Sequence, residues 1–502
     1  MTTSPGRQND EDRVVVVGPV IVDHYFLGTA SRLDQTAPIP IVDVQSCSSF
    51  VGIGGGGNAT NNLSHMAMPV AFVSVVGKDP GGKAFLDTAP NDLTQLYVAQ
   101  DPNYQTPQKN RVYVGGRLVA RFDMDEKPKA NVEDKVVDMF MRCVDDVPPL
   151  AILIADYDKG ICTERTISVI LRYARENNIK VIVDPVPQHM PFYIGAHIIT
   201  PNAKEACEAT DKKNAGAAAD AICKELGVDH CIVTCGADGM LWASPGTARM
   251  QLPALPAMLV DSCGAGDTVA AAIAYGVAAR MPMPTLLRFA MTAGALSVER
   301  GGAGPVSLHQ IHRRMSMAHG TGNKLIGIDH ASLLRLSAAF DKTVFGVTNG
   351  VFDLLHPGHV SMLEQAAKKC GFLTVLLNSD ESATRVKRKP IQEYALRAAA
   401  LASLSMVDAI VKFEEDTPEQ SIHRLEPNLL VKGPELKGKE EQIPGAEFVW
   451  STGGEVLTTD LEFDTHTSDV LERAQETADG RKATDQAAAD ADGSGGAVGA
   501  PE

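Results

Sequence analysis

The sequence predicts two consecutive α/β domains, each built on a parallel sheet covered by helices on both faces. Three observations lead there. First, short β-branched runs bounded by Gly, Pro or Asp recur: VVVVG (Val14–Gly18), VAFVSVVG (Val70–Gly77), AILIAD (Ala151–Asp156), VIVDP (Val181–Pro185), HIITPN (His197–Asn202) and CIVTCG (Cys231–Gly236). Second, stretches of helical length and period, such as Glu164–Asn177 and Asn214–Leu226, lie between several of them. Continuous apolar strands alternating with helices pair in parallel and are buried on both sides. Third, the pattern begins afresh at TVFGVTNGVFD (Thr343–Asp353). It continues through a helix over Val360–Lys369, a strand over Phe372–Asp380, a helix over Tyr394–Leu404, and strands at Ala409–Phe413 and Asn428–Gly433.

The expected organisation is a first domain over residues 12–315, a connector of weak helical character over 316–340, and a second domain over 341–475. The remainder, 476–502, is mostly Ala, Asp, Gly and Ser. It buries too little apolar surface to offset ordering entropy and is expected to be disordered. A length of 502 residues suits two to four domains, and 44% hydrophobic against 22% charged residues excludes global disorder.

Charge narrows the partners. With 62 acidic and 46 basic residues the net charge is -16, which argues against non-specific attachment to nucleic acid or to an anionic membrane. The opening MTTSPGRQNDEDR has no apolar core, so no signal peptide is expected. Thr268–Ala279, the most apolar long stretch, is too short to span a bilayer and reads as a buried helix. Nine cysteines are scattered singly; Cys231 and Cys235 lack the second pair a zinc site needs. They read as reduced thiols of a cytoplasmic protein.

Two motifs carry chemistry. In DSCGAGDTVAAAIAYG (Asp261–Gly276), Gly264, Ala265 and Gly266 form a small-residue turn that opens a helix, with Asp267 at its start. Unpaired backbone N–H groups and the helix dipole suit phosphate oxygens there. A carboxylate beside such a hole is placed to take a proton from an attacking hydroxyl. Read alone, Asp267 fits a plain first-turn acid equally well. In GVTNGVFDLLHPGHVSML (Gly346–Leu363), His356 and His359 stand three apart at a strand-to-helix junction. They can donate to nucleotide phosphates as an α-phosphate is attacked, while a metal pair or a capped helix remain open on spacing alone.

The first domain resembles the ribokinase-like (PfkB) sugar kinases in five elements that stand in order. These are GPVIVDHY (Gly18–Tyr25), GGGGN (Gly54–Asn58), TPNAKE (Thr200–Glu205), TCGADGM (Thr234–Met240) and GAGD (Gly264–Asp267). The resemblance implies that Asp267 is the general base and that Gly264, Ala265 and Gly266 form the anion hole. It implies that Asp23, Gly54, Gly55 and Asn58 face the sugar. Asn202, Ala203, Lys204 and Glu205 would organise the phosphates of Mg-ATP, with Glu205 reaching Mg2+ only through water, and Thr234, Gly236 and Gly239 would border the nucleotide. No residue is expected to bind the metal directly. Cys263 stands where the family usually has Thr, and Val186 where a Lys is common.

The second half, about residues 343–474, resembles the cytidylyltransferase-like nucleotidyltransferases, with a Rossmann-like fold. The resemblance rests on T-N-G-x-F-D followed by H-x-G-H, and on NSD (Asn378–Asp380), Arg397, FEEDTP (Phe413–Pro418), GGEV (Gly453–Val456) and THTSDVLER (Thr465–Arg473). It implies that His356 and His359 bind the triphosphate and that Thr348, Asn349 and Phe352 line the nucleotide pocket. Lys387 or Arg388, from a basic loop that fits a solvated face equally, would clamp phosphate. Lys432, Gly433, Thr467 and Ser468 complete the expected site, with His466 where Ser is usual.

The order of the two halves is similar to that of the bacterial bifunctional heptose kinase/adenylyltransferase family, as are SRLDQTAPIPIVDV (Ser31–Val44), ARFDMDE (Ala120–Glu126), ADYDKG (Ala155–Gly160) and VWSTGGEV (Val449–Val456). That resemblance implies phosphorylation of D-glycero-β-D-manno-heptose 7-phosphate at O1, then adenylyl transfer from ATP to heptose 1-phosphate. Arg121 and Asp123 would help hold the phosphorylated sugar, or form a structural ion pair. The expected partners are sugar phosphates and ATP with Mg2+, and a homodimer paired through a lid near the N-terminal strands.

Overall fold

Four consecutive valines, Val14–Val17, form an interior strand of the first sheet and have no exposed surface. Each fully buried Val is worth roughly 1.5–3 kcal/mol of apolar burial, and this strand contributes on both faces. The computed structural model describes residues 12–88, 93–125, 132–300, 304–319 and 324–460. The chain divides into two compact units, Met1–Met315 and Ser316–Glu502.

The first unit holds a nine-stranded sheet. Its spatial order is Met250–Leu252, Met240–Ala243, His230–Thr234, Ile198–Ile199, Lys180–Asp184, Ala151–Ala155, Val14–Val17, Val70–Gly77 and Thr94–Asp101. The last seven of these pair in parallel, as the apolar runs predict; the two strands at the other edge are antiparallel. Helices start where side-chain oxygens cap them: Thr163 caps Glu164–Glu176 and Asn214 caps Ala215–Leu226. Chain order reverses between Val14–Val17 and Ala151–Ala155, and the crevice beyond the carboxyl ends of such strands is where α/β sheets bind ligands.

A second sheet in this unit departs from the uniform α/β expectation. Four strands, ordered Pro40–Gly55, Val20–Leu33, Gln108–Val114 and Arg117–Met124, form a separate layer. Two of its three pairings are antiparallel. Arg117–Met124 is exposed at every residue, so its sequence lacks the continuous apolar signature of the main sheet.

The second unit carries a six-stranded, wholly parallel sheet in the order Leu325–Ile326, Ala409–Phe413, Phe372–Asn378, Phe345–Gly350, Leu429–Lys432 and Glu455–Thr458. The segment read from sequence as a connector supplies the edge strand Leu325–Ile326 and the helix Ile328–Phe340. Order reverses at Phe345–Gly350, which therefore opens the ligand crevice of this unit. Among the described residues, no helix is long and apolar enough to cross a membrane.

Candidate active sites

In the first unit the site assembles around Asp267, in the first turn of the helix Ala265–Ala278. Gly264 caps that helix with φ of 77°, a left-handed conformation that glycine adopts without steric cost. The helix behind it is small-residue and buried nearly throughout, as the apolar run predicts, so its N-terminus is held rigidly. Asp267 is 6% exposed. Asn58, from the helix Gly56–His65, donates through Nδ2 to Asp267 Oδ2 at 2.7 Å, and the Tyr157 hydroxyl donates to Oδ1. Burial pushes the Asp267 carboxyl up to about 6, while the Tyr157 and Asn58 hydrogen bonds and the charge of Lys109 pull it down.

Asn58 is itself locked. Asn62 Nδ2 donates to Asn58 O and Oδ1 at 2.9 and 3.2 Å, and Asn62 Oδ1 accepts from the Val306 backbone at 2.9 Å. The glycines ahead of Asn58 have a steric reason. A Cβ on Gly54 would lie 2.7 Å from Asp23 Oδ2, and Gly55 has φ of 63°. The predicted sugar-facing residues Asp23, Gly54, Gly55 and Asn58 thus share one neighbourhood with the predicted base.

Asp23 does not stand alone. Arg111 Nη1 lies 2.6 Å from Asp23 Oδ1, and Arg111 Nη2 donates to Cys263 Sγ at 3.2 Å. Burial keeps the Cys263 thiol above its ordinary value, with Arg111 pulling the other way. Arg121 and Asp123 form a bidentate pair, 2.9 and 2.6 Å, on the exposed strand that pairs with Gln108–Val114.

The residues expected to meet the nucleotide follow the strands Ile198–Ile199 and His230–Thr234. Asn202 and Glu205 form a reciprocal capping box on the helix Ala203–Thr210, with both hydrogen bonds at 2.9 Å. Lys204 is exposed and Ala203 half-buried on that first turn. Thr234 ends its strand, Gly236 and Gly239 have φ of 56° and 88°, and the adjoining recess is lined by Ala237, Asp238, Gln251, Pro253 and Ala254. Burial, and then the charge of Asp267, hold Asp184 well above the ordinary carboxylate range; burial also raises Glu205. No group of three metal-ligating side chains occurs among the described residues. Carboxylates that raise one another nonetheless fit a hydrated cation carried in by phosphate, bound through water rather than in a protein cage.

In the second unit, His356 is the N-cap of the helix Pro357–Lys369, with Pro357 at its first position. The His356 and His359 rings stack with centroids 3.8 Å apart, and Phe352 lies 5.1 Å from His359. Phe352 is buried with φ of 46°, a strained conformation for a bulky residue that turns the chain from strand to helix. Thr348 Oγ1 and Asn349 Oδ1 are buried without a hydrogen-bond partner among the described residues. Such orphaned polar atoms at a strand end suit a ligand with donors of its own.

Lys432, across the chain-order reversal, donates to Asn349 O at 3.1 Å; burial lowers its ammonium to about 8, against the pull of Glu435. A Cβ on the next residue, Gly433, would fall 2.2 Å from Glu435 Oε2, so a larger residue there would displace the Glu435 carboxylate. Lys387 is exposed at the C-cap of Asp380–Val386, and its neighbour Arg388 lies 3.6 Å from Asp353. Arg397 is fully buried and saturated by Val351 O, Asn378 O, Gln392 O and Asp380, which makes it a scaffold for the loop. Thr467, Ser468 and His466 lie outside the described residues, as does 476–502.

Sequence reasoning missed Lys109, Arg111 and Tyr157. Lys109 and Arg111 are two apart on one strand and so share a face, a signal that was available. Tyr157 lies within the quoted ADYDKG, where nothing in the spacing names a partner 110 residues away.

A buried carboxylate at a helix N-terminus in one unit and stacked histidines at another in the second fit a carbohydrate kinase joined to a nucleotidyltransferase. Residues 12–310 match the PfkB family of carbohydrate kinases, and residues 347–446 match the cytidylyltransferase-like family. The fold of the first unit is shared with phosphofructokinase-2 from Escherichia coli crystallised with potassium, at a TM-score of 0.50 and 16% identity over 60% of this chain and 97% of that one. The bifunctional protein HldE of Rhodopseudomonas palustris strain HaA2 is 34% identical over 479 residues, 92% of this chain and 96% of its own. HldE of Nitrobacter hamburgensis is 35% identical over the same shares. The chain belongs to the HldE family of bifunctional enzymes, which combine heptose kinase and adenylyltransferase activities in ADP-heptose synthesis.

Proposed function

We propose that the first unit phosphorylates O1 of D-glycero-β-D-manno-heptose 7-phosphate, with Asp267 as general base, and that the second joins heptose 1-phosphate to AMP. The observation that carries the kinase assignment is the Asn58–Asp267 hydrogen bond at 2.7 Å, which fixes the base between the two glycine-rich helix starts. A carboxyl raised to about 6 is still ionised near neutrality, yet is a stronger base than an ordinary aspartate. Asp267 takes the O1 proton as O1 attacks the γ-phosphorus and the bond to ADP breaks. The backbone N–H groups at Gly264, Ala265 and Gly266 receive the phosphoryl oxygens. Asp23, held by Arg111, is placed to accept from sugar hydroxyls, and Arg121 with Asp123 to approach the 7-phosphate end.

ATP enters with Mg2+, which neutralises phosphate charge; Glu205 and Asp184 are the carboxylates that would hold it through water. In the second unit, His356, His359 and the Pro357–Lys369 N-terminus hold phosphate oxygens, while Thr348, Asn349, Phe352, Lys432 and Gly433 border the nucleotide. Lys387 would clamp the triphosphate, and the hydroxyls of Thr467 and Ser468, which lie outside the described residues, would bind phosphate or cap a helix. The sugar 1-phosphate oxygen attacks the α-phosphorus and pyrophosphate leaves.

The four-stranded sheet supports a homodimer. Phe122 and Met124 are exposed and two apart on its last strand, so they share one face. Sedimentation at equilibrium tests this. Eight reduced cysteines among the described residues support a cytoplasmic setting.

Phosphorus NMR of the purified chain with Mg-ATP and heptose 7-phosphate tests the kinase. A new anomeric phosphate resonance is expected. Phosphorylation of a hexose or pentose phosphate in preference to the heptose would reject the substrate.

A further inference from the structure

We propose that Tyr157 is the positioning residue of the kinase base, its hydroxyl holding Asp267 Oδ1 while Asn58 holds Oδ2. This rests on the reading of Asp267 as the base. Tyr157 follows the strand Ala151–Ala155 at the chain-order reversal and reaches the helix Ala265–Ala278 across the site. The hydroxyl donates to Asp267, and the Lys109 ammonium lies 5.8 Å from the centre of its ring. Tyr157 is therefore gripped from two sides, by the base through its tip and by the four-stranded sheet through its face.

A carboxylate with one donor on each oxygen has its plane fixed, and the remaining lone pairs point in set directions. One donor alone leaves rotation about the Cβ–Cγ bond. Asn58 and Tyr157 together remove that freedom, so the acceptor lone pair is aimed before the sugar arrives. Tyr157 cannot take over as base. Burial, and then the Asp267 charge, hold its hydroxyl well above the ordinary phenol range, so it stays a donor throughout.

The same hydrogen bond has an electrostatic effect. Five groups face Asp267: Tyr157 from the loop after Ala151–Ala155, Asn58 on Gly56–His65, Lys109 on Gln108–Val114, Asp23 on Val20–Leu33, and Asp184 at the end of Lys180–Asp184. Burial raises the carboxyl, Asp23 adds to that, and Asp184 couples to it by like charge. Tyr157 is foremost among the groups that lower it, ahead of Asn58 and Lys109. Loss of the hydroxyl therefore leaves a base that is both loose and more often protonated.

The test is Tyr157→Phe, assayed for heptose 7-phosphate phosphorylation across pH, with circular dichroism and the urea unfolding transition of the first unit reporting that this unit is folded. The expected result is a kcat lowered by about tenfold to a hundredfold. The acid limb of kcat/KM moves to higher pH. In an Asp267→Asn background the same change costs nothing further, because Tyr157 acts only through the base. A limb that stays in place, or a loss that adds in full to that of Asp267→Asn, overturns the proposal. Should Asp267→Asn leave phosphorylation intact, the base assignment itself is wrong, a separate result. If Tyr157→Phe does not fold, a fluorotyrosine at this position keeps the shape and makes a more acidic donor. It is expected to move the acid limb to lower pH, and an unmoved limb counts against Tyr157 in the same way.

Discussion

Arg111 and Asp23 form an ion pair of 2.6 Å in which both side chains are less than a tenth exposed, at 8% and 4%. A desolvated pair of this kind is costly to break, because removing one partner strands the other charge. Arg111→Met is expected to destabilise the first unit by about 3–5 kcal/mol in urea denaturation. Adding Asp23→Asn should return most of that stability while phosphorylation stays lost, since the sugar-facing carboxylate is gone. A single substitution costing under about 1 kcal/mol would place the pair among weak surface bridges instead.

Asp267 sets activity against stability. Its folded carboxyl, at about 6, lies above its ordinary 3.8, so the folded state binds the proton more tightly and it is the ionised form that costs. The cost is absent below pH 3.8 and complete above about 6. Asp267→Asn is therefore expected to abolish phosphorylation and to raise stability by up to about 3 kcal/mol at pH 8. The gain should vanish as pH falls below 4. Thermal unfolding at the two pH values measures it, and an equal gain at both would show that the buried charge is not its source.

Much of this was legible because burial leaves a strong mark. Val14–Val17 and Ala151–Ala155 are continuous apolar runs, and each is a buried strand that pairs in parallel with its neighbours. Glycine motifs at Gly54–Asn58 and Gly264–Asp267 could be read because positive φ and close backbone approach leave few other residues possible. The four-stranded sheet was hidden, since Arg117–Met124 is solvated on every residue and gives no apolar periodicity. Arg111 and Tyr157 were hidden for a different reason. Their roles depend on partners 88 and 110 residues away: the face shared by Lys109 and Arg111 marks a cationic strand but names no partner, and a Tyr in a loop names none either.

The two reactions should separate by substitution. His359 stacks on His356 and meets Phe352 at a tilt within the second unit, and Asp267 is held by groups of the first. His359→Ala is expected to lower adenylyl transfer by about 100-fold or more, as loss of a transition-state donor does, and to leave sugar phosphorylation unchanged. Asp267→Asn should do the reverse. Two separate assays on each purified variant measure this, and loss of both activities in a folded single variant would refute independent sites.

Lys432 gives the transferase a basic limit. Burial lowers its ammonium to about 8, so the free enzyme loses that charge as pH rises through 8. Only the protonated form attracts phosphate, and bound triphosphate holds the proton on. The loss is therefore expected in kcat/KM for ATP, which reports the free enzyme, and not in kcat. Lys432→Arg keeps a charge at every accessible pH and should erase the alkaline limb, even where the bulkier guanidinium weakens its hold on Asn349 O. Pyrophosphate release measured from neutral to alkaline pH decides between a phosphate contact and a strand-end prop. A limb that persists unchanged in Lys432→Arg would assign Lys432 to the hydrogen bond with Asn349 alone.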